Sequence, residues 1–347
     1  MTDVATISAD KQVDTLSVRE AYTTDHGTMY QGTIEAFLDE HEEELAGTVQ
    51  LVFFSPPFPL NRKKAYGNLD GDAYLEWLKE LAPRLARLLK PSGSLVMELG
   101  NAWVQGKPAM SLLPLKALMA VAEGAELNVC QQFICHNPAR LPSPAQWVTI
   151  ERIRVKDSYT HVWWMAPDEK PDASNTRVLR EYSPAMQKLH ERGNYNDGAR
   201  PSEFVISPTS FLTKHAGAIP PNALEFGEEP EEDREFGENF LRMANTASND
   251  PYSRYCRDYE LKRHPARMPA ALPRFFINML TKEGDLVLDP FGGSNTTGAV
   301  AEELGREWMA VEPNVDYIEG SKGRFEVFRA ERAAQTSVID AVNDQAS

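Results

Sequence analysis

The sequence predicts an α/β protein: a doubly wound, mostly parallel sheet interrupted by an irregular insertion. Three observations carry that expectation. Apolar runs at 49–54 and 94–99 flank an amphipathic helical pattern, the strand–helix–strand order of a parallel crossover. The same order returns between 285 and 312. Between about 168 and 260 the alternation is lost, and Pro, Ser, Asn and acidic residues dominate.

Residues 1–20 read as an arm. Ile34, Phe37, Leu38 and Leu45 put an apolar stripe on a helix over 30–45 whose outer face is acidic. Val49-Gln50-Leu51-Val52-Phe53-Phe54 is rich in β-formers and is stopped by Ser55-Pro56-Pro57, so a buried strand runs into a rigid loop. Asp72 can cap the next helix, whose face is Tyr74, Leu75, Leu78, Leu81, Leu85, Leu88 and Leu89. Lys90-Pro91-Ser92-Gly93 ends it before the strand at 94–99. A helix at 112–122 and strands at 127–135 and 161–165 complete residues 21–167. The insertion, 168–260, carries isolated aromatic anchors at Tyr182, Phe204 and Phe211. Regular patterning resumes over 261–328, with helices at 272–280, 297–303 and 315–328 around strands at 285–289 and 308–312. Residues 329–347 read as a polar tail.

A net charge of -15 argues at first sight against a nucleic-acid partner. The acids are concentrated at 35–44 and 225–238, however, while Arg62-Lys63-Lys64, Arg152, Arg154 and Lys156, and Lys262-Arg263 with Arg267 form basic stretches. Screening over a Debye length of ~8 Å lets a locally positive face bind phosphate on a globally acidic protein. Neither a signal peptide nor an apolar run near the ~20 residues of a membrane span is present, so the expected location is cytoplasmic. Cys130, Cys135 and Cys256 have no metal-ligand spacing and read as free thiols, and no metal site is expected.

Two constellations carry chemistry. In Leu286-Val287-Leu288-Asp289-Pro290-Phe291-Gly292-Gly293-Ser294-Asn295-Thr296-Thr297, a strand enters a glycine turn that opens a helix, and the next strand ends in Glu312. Glycines admit a ligand close to backbone N–H groups, and a strand-end acid can accept hydrogen bonds from ribose hydroxyls. With neither G-x-G-x-x-G nor GK[ST] present, this pattern points to a ribose without a polyphosphate. In Phe53-Phe54-Ser55-Pro56-Pro57-Phe58, two prolines aim the Ser55 hydroxyl and the Pro56 carbonyl. That rigid pair of acceptors beside an aromatic ring suits a planar heterocycle bearing an amine. A proline-stiffened strand exit and a generic βα turn are the structural alternatives.

At these residues the chain resembles the amino-methyltransferases in which the catalytic motif precedes the cofactor motif, and most nearly the PvuII-type N4-cytosine enzymes. PPF-x-L-x-RKK-x-YGNL (56–69), LPSP (141–144), IRVKD (153–157), VWW (162–164), HPAR-x-PA-x-LP-x-FFI-x-MLT (264–281) and FGGSNTTG (291–298) are similar to that family in order. The resemblance implies a fold of the S-adenosylmethionine-dependent methyltransferase type, with residues 168–260 as the target-recognition insertion. It implies S-adenosylmethionine as cofactor and double-stranded DNA as partner, with a cognate restriction endonuclease acting on the same site. It implies a catalytic set of Ser55, Pro56, Pro57 and Phe58, with Glu98 as proton acceptor through Ser55, although related enzymes carry Asp there. Asp289, Phe291, Gly292, Gly293, Ser294, Thr296 and Glu312 would line the cofactor, and His264, Pro265, Ala266 and Arg267 would close over its methionine end. Arg62, Lys63, Lys64, Arg152, Arg154 and Lys156 are the candidate phosphate contacts.

Ser in the first motif implies transfer to the N4 amine of a flipped cytosine. Adenine N6 transfer is the alternative within the class, followed by a non-catalytic DNA binder that retains the fold. Cys130 lies in a strand pattern without a preceding proline, which speaks against a covalent cysteine mechanism on cytosine C5.

Overall fold

The computed structural model describes residues 17–57, 71–137, 140–195, 211–225 and 250–330. The first elements are the hairpin β1 (Arg19–Thr23) and β2 (Gly27–Gln31), then α1 (Ile34–Leu45), β3 (Val49–Phe54), α2 (Gly71–Leu88) and β4 (Leu89–Gly100). They are followed by α3 (Leu113–Gly124), β5 (Asn128–His136) and β6 (Tyr159–Ala166). The insertion contributes α4 (Pro184–Arg192), β7 (Ala223–Glu225) and α5 (Pro251–Asp258). The closing part supplies α6 (Ala271–Leu280), β8 (Leu286–Asp289), α7 (Thr296–Glu303), β9 (Glu307–Glu312) and α8 (Val315–Ser321).

Among the described residues the strands form one sheet of nine in the order β1-β2-β9-β8-β3-β4-β6-β5-β7. The run from β2 to β4 is parallel throughout, whereas β6 pairs antiparallel with both β4 and β5. Alternate β3 side chains feed opposite faces. Val52 and Phe54 join one apolar layer with α1, α2 and α3, and Leu51 and Phe53 join the other with α6, α7 and Ile318 of α8. With both faces covered, all six β3 residues are buried. Each large apolar side chain so enclosed stabilises the fold by roughly 1.5–3 kcal/mol relative to exposure. This is the doubly wound α/β fold expected, and its centre joins strands distant in sequence, since β3 pairs with β8 through Leu51↔Val287 and Val52↔Leu288.

Several local expectations differ. β1 begins inside the segment read as an arm, and β2 occupies the start of the segment read as helix. α1 instead starts at Ile34, where the Thr33 side chain accepts the Ala36 N–H. Lys90-Pro91-Ser92-Gly93 is not a turn between elements: β3 pairs with Leu89 before the shift and Ser94 after it, so the tetrapeptide bulges within β4. The last helical stretch is interrupted: α8 ends at Ser321, a 3-10 turn spans Lys322–Arg324, where Gly323 packs against Tyr255 with no room for a side chain, and helix resumes over 326–330. The insertion is more regular than its composition suggests, since β7 extends the sheet edge beside β5. Phe204 lies outside the described residues. The acidic stretch at 35–44 is not merely solvated: Asp39, Glu42 and Glu43 of α1 bind Arg84 and Arg87 of α2. Among the described residues, no helix is long and apolar enough to cross a membrane, and no three metal-ligating side chains cluster. The cysteines are free, and burial pushes all three thiols up.

Candidate active site

The parallel run places the carboxyl ends of β4, β3, β8 and β9 side by side, and the candidate residues leave the sheet there in that order: Glu98, Ser55, the 289–296 turn and Glu312. Ligands of open α/β sheets bind at that edge, where neighbouring connections part to opposite faces. A cleft of about 370 Å³ opens at this point. Ser55, Pro56 and Pro57 line one wall, and Asp289, Phe291, Gly292, Gly293, Ser294, Thr296 and Glu312 line the other.

The turn is held from several sides. Gly293 has φ +52°, and a Cβ there would come within 3.3 Å of the His264 ring. Glu312 receives the Gly293 N–H on Oε2 and the Asn314 N–H on Oε1, both at 2.9 Å. Asp289 accepts the Phe291 N–H at 3.0 Å and the Thr297 hydroxyl at 2.6 Å. Asn295 also adopts a left-handed conformation, φ +52°, and caps α7 through its side-chain oxygen on the Gly298 N–H. Burial pushes the Asp289 carboxyl up to about 6 and that of Glu312 to about 7. Among the described residues neither carboxyl is bonded to a basic side chain. Two desolvated acids facing a nucleoside-sized cleft create a demand for hydroxyl or cationic donors from a ligand.

On the other wall, the hydroxyls of Ser55 and Thr160 lie close enough to the Glu98 side chain to favour its charged form. Burial pushes its carboxyl up, while these hydroxyls and Arg140 pull it down. The serine is therefore polarised at the cleft by an acid one strand away. Phe58, Arg62, Lys63 and Lys64 lie outside the described residues.

At the far end, His264 and Ala266 line the cleft but Pro265 and Arg267 do not. The His264 N–H donates to the Tyr252 hydroxyl at 2.7 Å, its Nδ1 donates to the Ala266 carbonyl at 2.6 Å, and its ring meets Tyr317 edge-on at 4.5 Å. Arg267 is instead engaged by Asp250 at 3.2 Å and Ser253 at 2.9 Å, and it covers the Tyr252 ring. Arg152, Arg154 and Lys156 belong to a loop following a π-helical turn, Gln146–Ile150, not to a strand face. Arg154 spends its guanidinium on the Pro108 carbonyl at 2.7 Å, Lys156 reaches the Arg140 carbonyl at 3.5 Å, and Arg152 is exposed.

Residues that sequence reasoning missed complete the cleft. Trp77 of α2 and Ile34 and Glu35 of α1 close the side next to Phe291. The Trp77 ring stands 5.7 Å from the Phe291 ring, and its indole N–H donates to Glu35 at 2.6 Å. Arg324 bonds the Ser294 carbonyl at 2.5 Å and its hydroxyl at 2.9 Å. Trp77 interrupts no pattern and Arg324 follows the expected helix register, so neither carried a sequence signal.

A doubly wound sheet with a glycine turn and strand-end acid at its switch point is the fold of the S-adenosylmethionine-dependent methyltransferases. This chain belongs to the N6/N4 DNA methylase family, whose model, described as DNA methylase, matches residues 49–323. It is 40% identical to the type II methyltransferase M.PvuII of Proteus hauseri over 309 residues, 88% of this chain and 86% of that protein. The solved structure of PvuII DNA methyltransferase (cytosine-N4-specific) matches with a TM-score of 0.66 at 36% identity, over 88% of each chain. DNA adenine methyltransferase YhdJ of Escherichia coli (strain K12) is 24% identical over 81% of this chain and 78% of its own.

Proposed function

We propose that this DNA methylase transfers a methyl group from S-adenosylmethionine to the N4 amine of a cytosine flipped out of duplex DNA, within a restriction-modification setting. The observation that carries this reading is the shared cleft: Ser55, beside Glu98, faces the same cavity as the glycine turn and Glu312. What supports cytosine is the likeness to the PvuII structure titled cytosine-N4-specific, 36% identical over 88% of each chain, together with Ser55 in the first motif.

The residues fit the cofactor. The buried Glu312 and Asp289 carboxylates suit ribose hydroxyls and a ligand of positive charge, while Phe291, Trp77 and Ile34 offer an apolar slot for a base. When bound, S-adenosylmethionine supplies a methyl group activated by positively charged sulfur. Ser55 Oγ and the Pro56 carbonyl would accept the two N–H bonds of the cytosine amine, drawing its nitrogen out of conjugation so that its lone pair is free to attack. The amine then sheds a proton to Ser55, whose own proton passes to Glu98. Orientation and fixed dipoles supply most of the rate, because the positively charged sulfur of the cofactor is already a good leaving group.

The test is tritium transfer from labelled cofactor to duplex DNA, with the product nucleoside identified by mass. N4-methylcytosine is expected; N6-methyladenine would sink the base assignment, and binding without transfer would leave only a DNA-binding fold. Ser55→Ala should lose transfer by at least about a hundredfold while keeping cofactor affinity within about threefold, because Ser55 serves the base amine.

A further inference from the structure

The connection between β5 and β6 stands at the edge of the sheet where the cleft opens. β6 begins beside the carboxyl end of β4, with Thr160 paired to Gly100, so residues 140–158 lie beyond the end of the strand that carries Glu98. The two arms of this loop are tied to each other and to the sheet. The Arg140 guanidinium donates to the Tyr159 carbonyl at 3.0 Å and faces Asp157 at 3.7 Å. The Asp157 N–H donates to the Ser143 carbonyl at 3.4 Å, and Lys156 Nζ donates to the Arg140 carbonyl at 3.5 Å. Asn101, just past β4, holds the Asp157 carboxylate at 2.7 Å. Arg154 fastens the outer part of the loop to the Pro108 carbonyl at 2.7 Å.

Between these ties the loop shows apolar side chains to solvent: Leu141 is 80% exposed, Val155 87% and Ile150 68%. One exposed leucine is ordinary on a protein surface. Several on a fixed mount, beside the exposed Arg152 and Lys156, make a surface that meets a partner. Charge and place together name that partner as the duplex whose base the cleft receives, because basic groups suit its phosphates and apolar tips suit its stacked bases. Leu141 is set for the second role. It follows Arg140, whose guanidinium comes within 3.9 Å of where a Cβ on Gly100 would stand, and Gly100 is two residues beyond Glu98. Pro142 restricts the Leu141 backbone, so little freedom is lost when the tip is buried.

We propose that Leu141 is a wedge that enters the DNA stack at the position vacated by the flipped base and so keeps that base in the cleft. The proposal rests on the transfer to a flipped cytosine argued above. Extrusion costs the base its pairing and stacking and leaves a gap between two apolar base faces. A leucine in that gap covers both faces and opposes the return of the base, whereas a small side chain leaves it open. The wedge therefore matters most where the target is well paired and least where pairing is already lost.

Single-turnover transfer is measured for the wild type, Leu141→Ala and Leu141→Met on duplexes carrying the sequence that the wild type modifies. The target cytosine stands opposite guanine in one duplex, and opposite adenine, thymine or an abasic position in the others. On the paired duplex Leu141→Ala is expected to lose at least about tenfold, and Leu141→Met, which keeps an apolar tip, to lose less. On the unpaired duplexes that the wild type modifies, Leu141→Ala should come within about threefold of it. Cofactor affinity and melting temperature should stay at their wild-type values, since the side chain is exposed. A loss of equal size on paired and unpaired duplexes, or no loss on either, overturns the wedge. A wild type that transfers nothing to any duplex overturns the proposed function instead.

Discussion

Glu312 shows how much one buried side chain can be asked to do. Both of its oxygens already accept backbone N–H groups, from Gly293 and Asn314, so it shapes the turn as well as facing the cleft. In Glu312→Gln the new NH2 would confront one of those donors. Calorimetry should register a loss of cofactor affinity of at least about tenfold, and an unchanged affinity would remove Glu312 from the cofactor seat. Its pH behaviour has two opposite signs. With its carboxyl pushed up to about 7 and that of Asp289 to about 6, the folded state holds protons that the unfolded chain has released. These two groups therefore stabilise the ligand-free fold as pH falls from about 7 toward about 5, and that contribution is lost as pH rises through the same window. Cofactor affinity should run the other way, weakening below about pH 7 because a protonated Glu312 accepts fewer hydrogen bonds, and binding near neutrality should release protons. Melting curves and calorimetry in buffers of different ionisation enthalpy read both signs. Asn295 is a simpler case: it combines a left-handed backbone with the α7 cap. Asn295→Ala loses both, and a destabilisation of about 1–3 kcal/mol is expected in denaturant melts.

At the scale of elements, α5 braces the glycine turn through His264 and Arg324. Its Tyr252 ring packs against two guanidinium groups, Arg267 at 5.3 Å and Arg324 at 4.8 Å, while its hydroxyl holds the His264 N–H. Tyr252→Phe keeps the ring and removes only the acceptor. It should raise the cofactor dissociation constant about three- to tenfold, with a small change in melting temperature. A wild-type affinity would show that His264 needs no such anchor. This brace also marks the limit of what the sequence discloses. Strand β3, the glycine turn and Glu312 were legible because a buried strand, a proline corner and a glycine pair each have a local signature. The α5 brace was not, since Tyr252, Arg267 and Arg324 come from three segments whose meeting depends on tertiary packing. β1 and β2 escaped for a related reason: their apolar positions are few, and the pairing of β2 with β9 and of β1 with β2 supplies the order that their composition lacks. The half-buried setting of Glu98 was equally hidden, because a strand-end acid looks the same whether it faces water or a serine.

For the molecule as a whole, the net charge of -15 and a duplex partner coexist only if the contact face is locally basic and separated from the acids by more than a screening length. Part of the acidity is neutralised internally, where α1 acids meet α2 arginines. Binding to duplex DNA should weaken steeply with salt. Arg152→Ala should lower the magnitude of the slope of log affinity against log salt by about one, with little dependence on DNA sequence. Arg154→Ala should have less effect on the slope, since its guanidinium already serves the Pro108 carbonyl. Equal slopes for wild type and Arg152→Ala would place the DNA on another face.

The β3–β8 pairing at the centre of the sheet has a temporal consequence. Leu51 meets Val287, so the Ser55-Pro56-Pro57 corner finds its neighbour only after more than two-thirds of the chain has been made. During synthesis the first strands wait with one edge unpaired, and loop closure over that span makes the joining step slow. A nascent chain therefore carries Ser55 and Glu98 long before β8 and β9 enter the sheet between β2 and β3, and the cleft has both its walls only then.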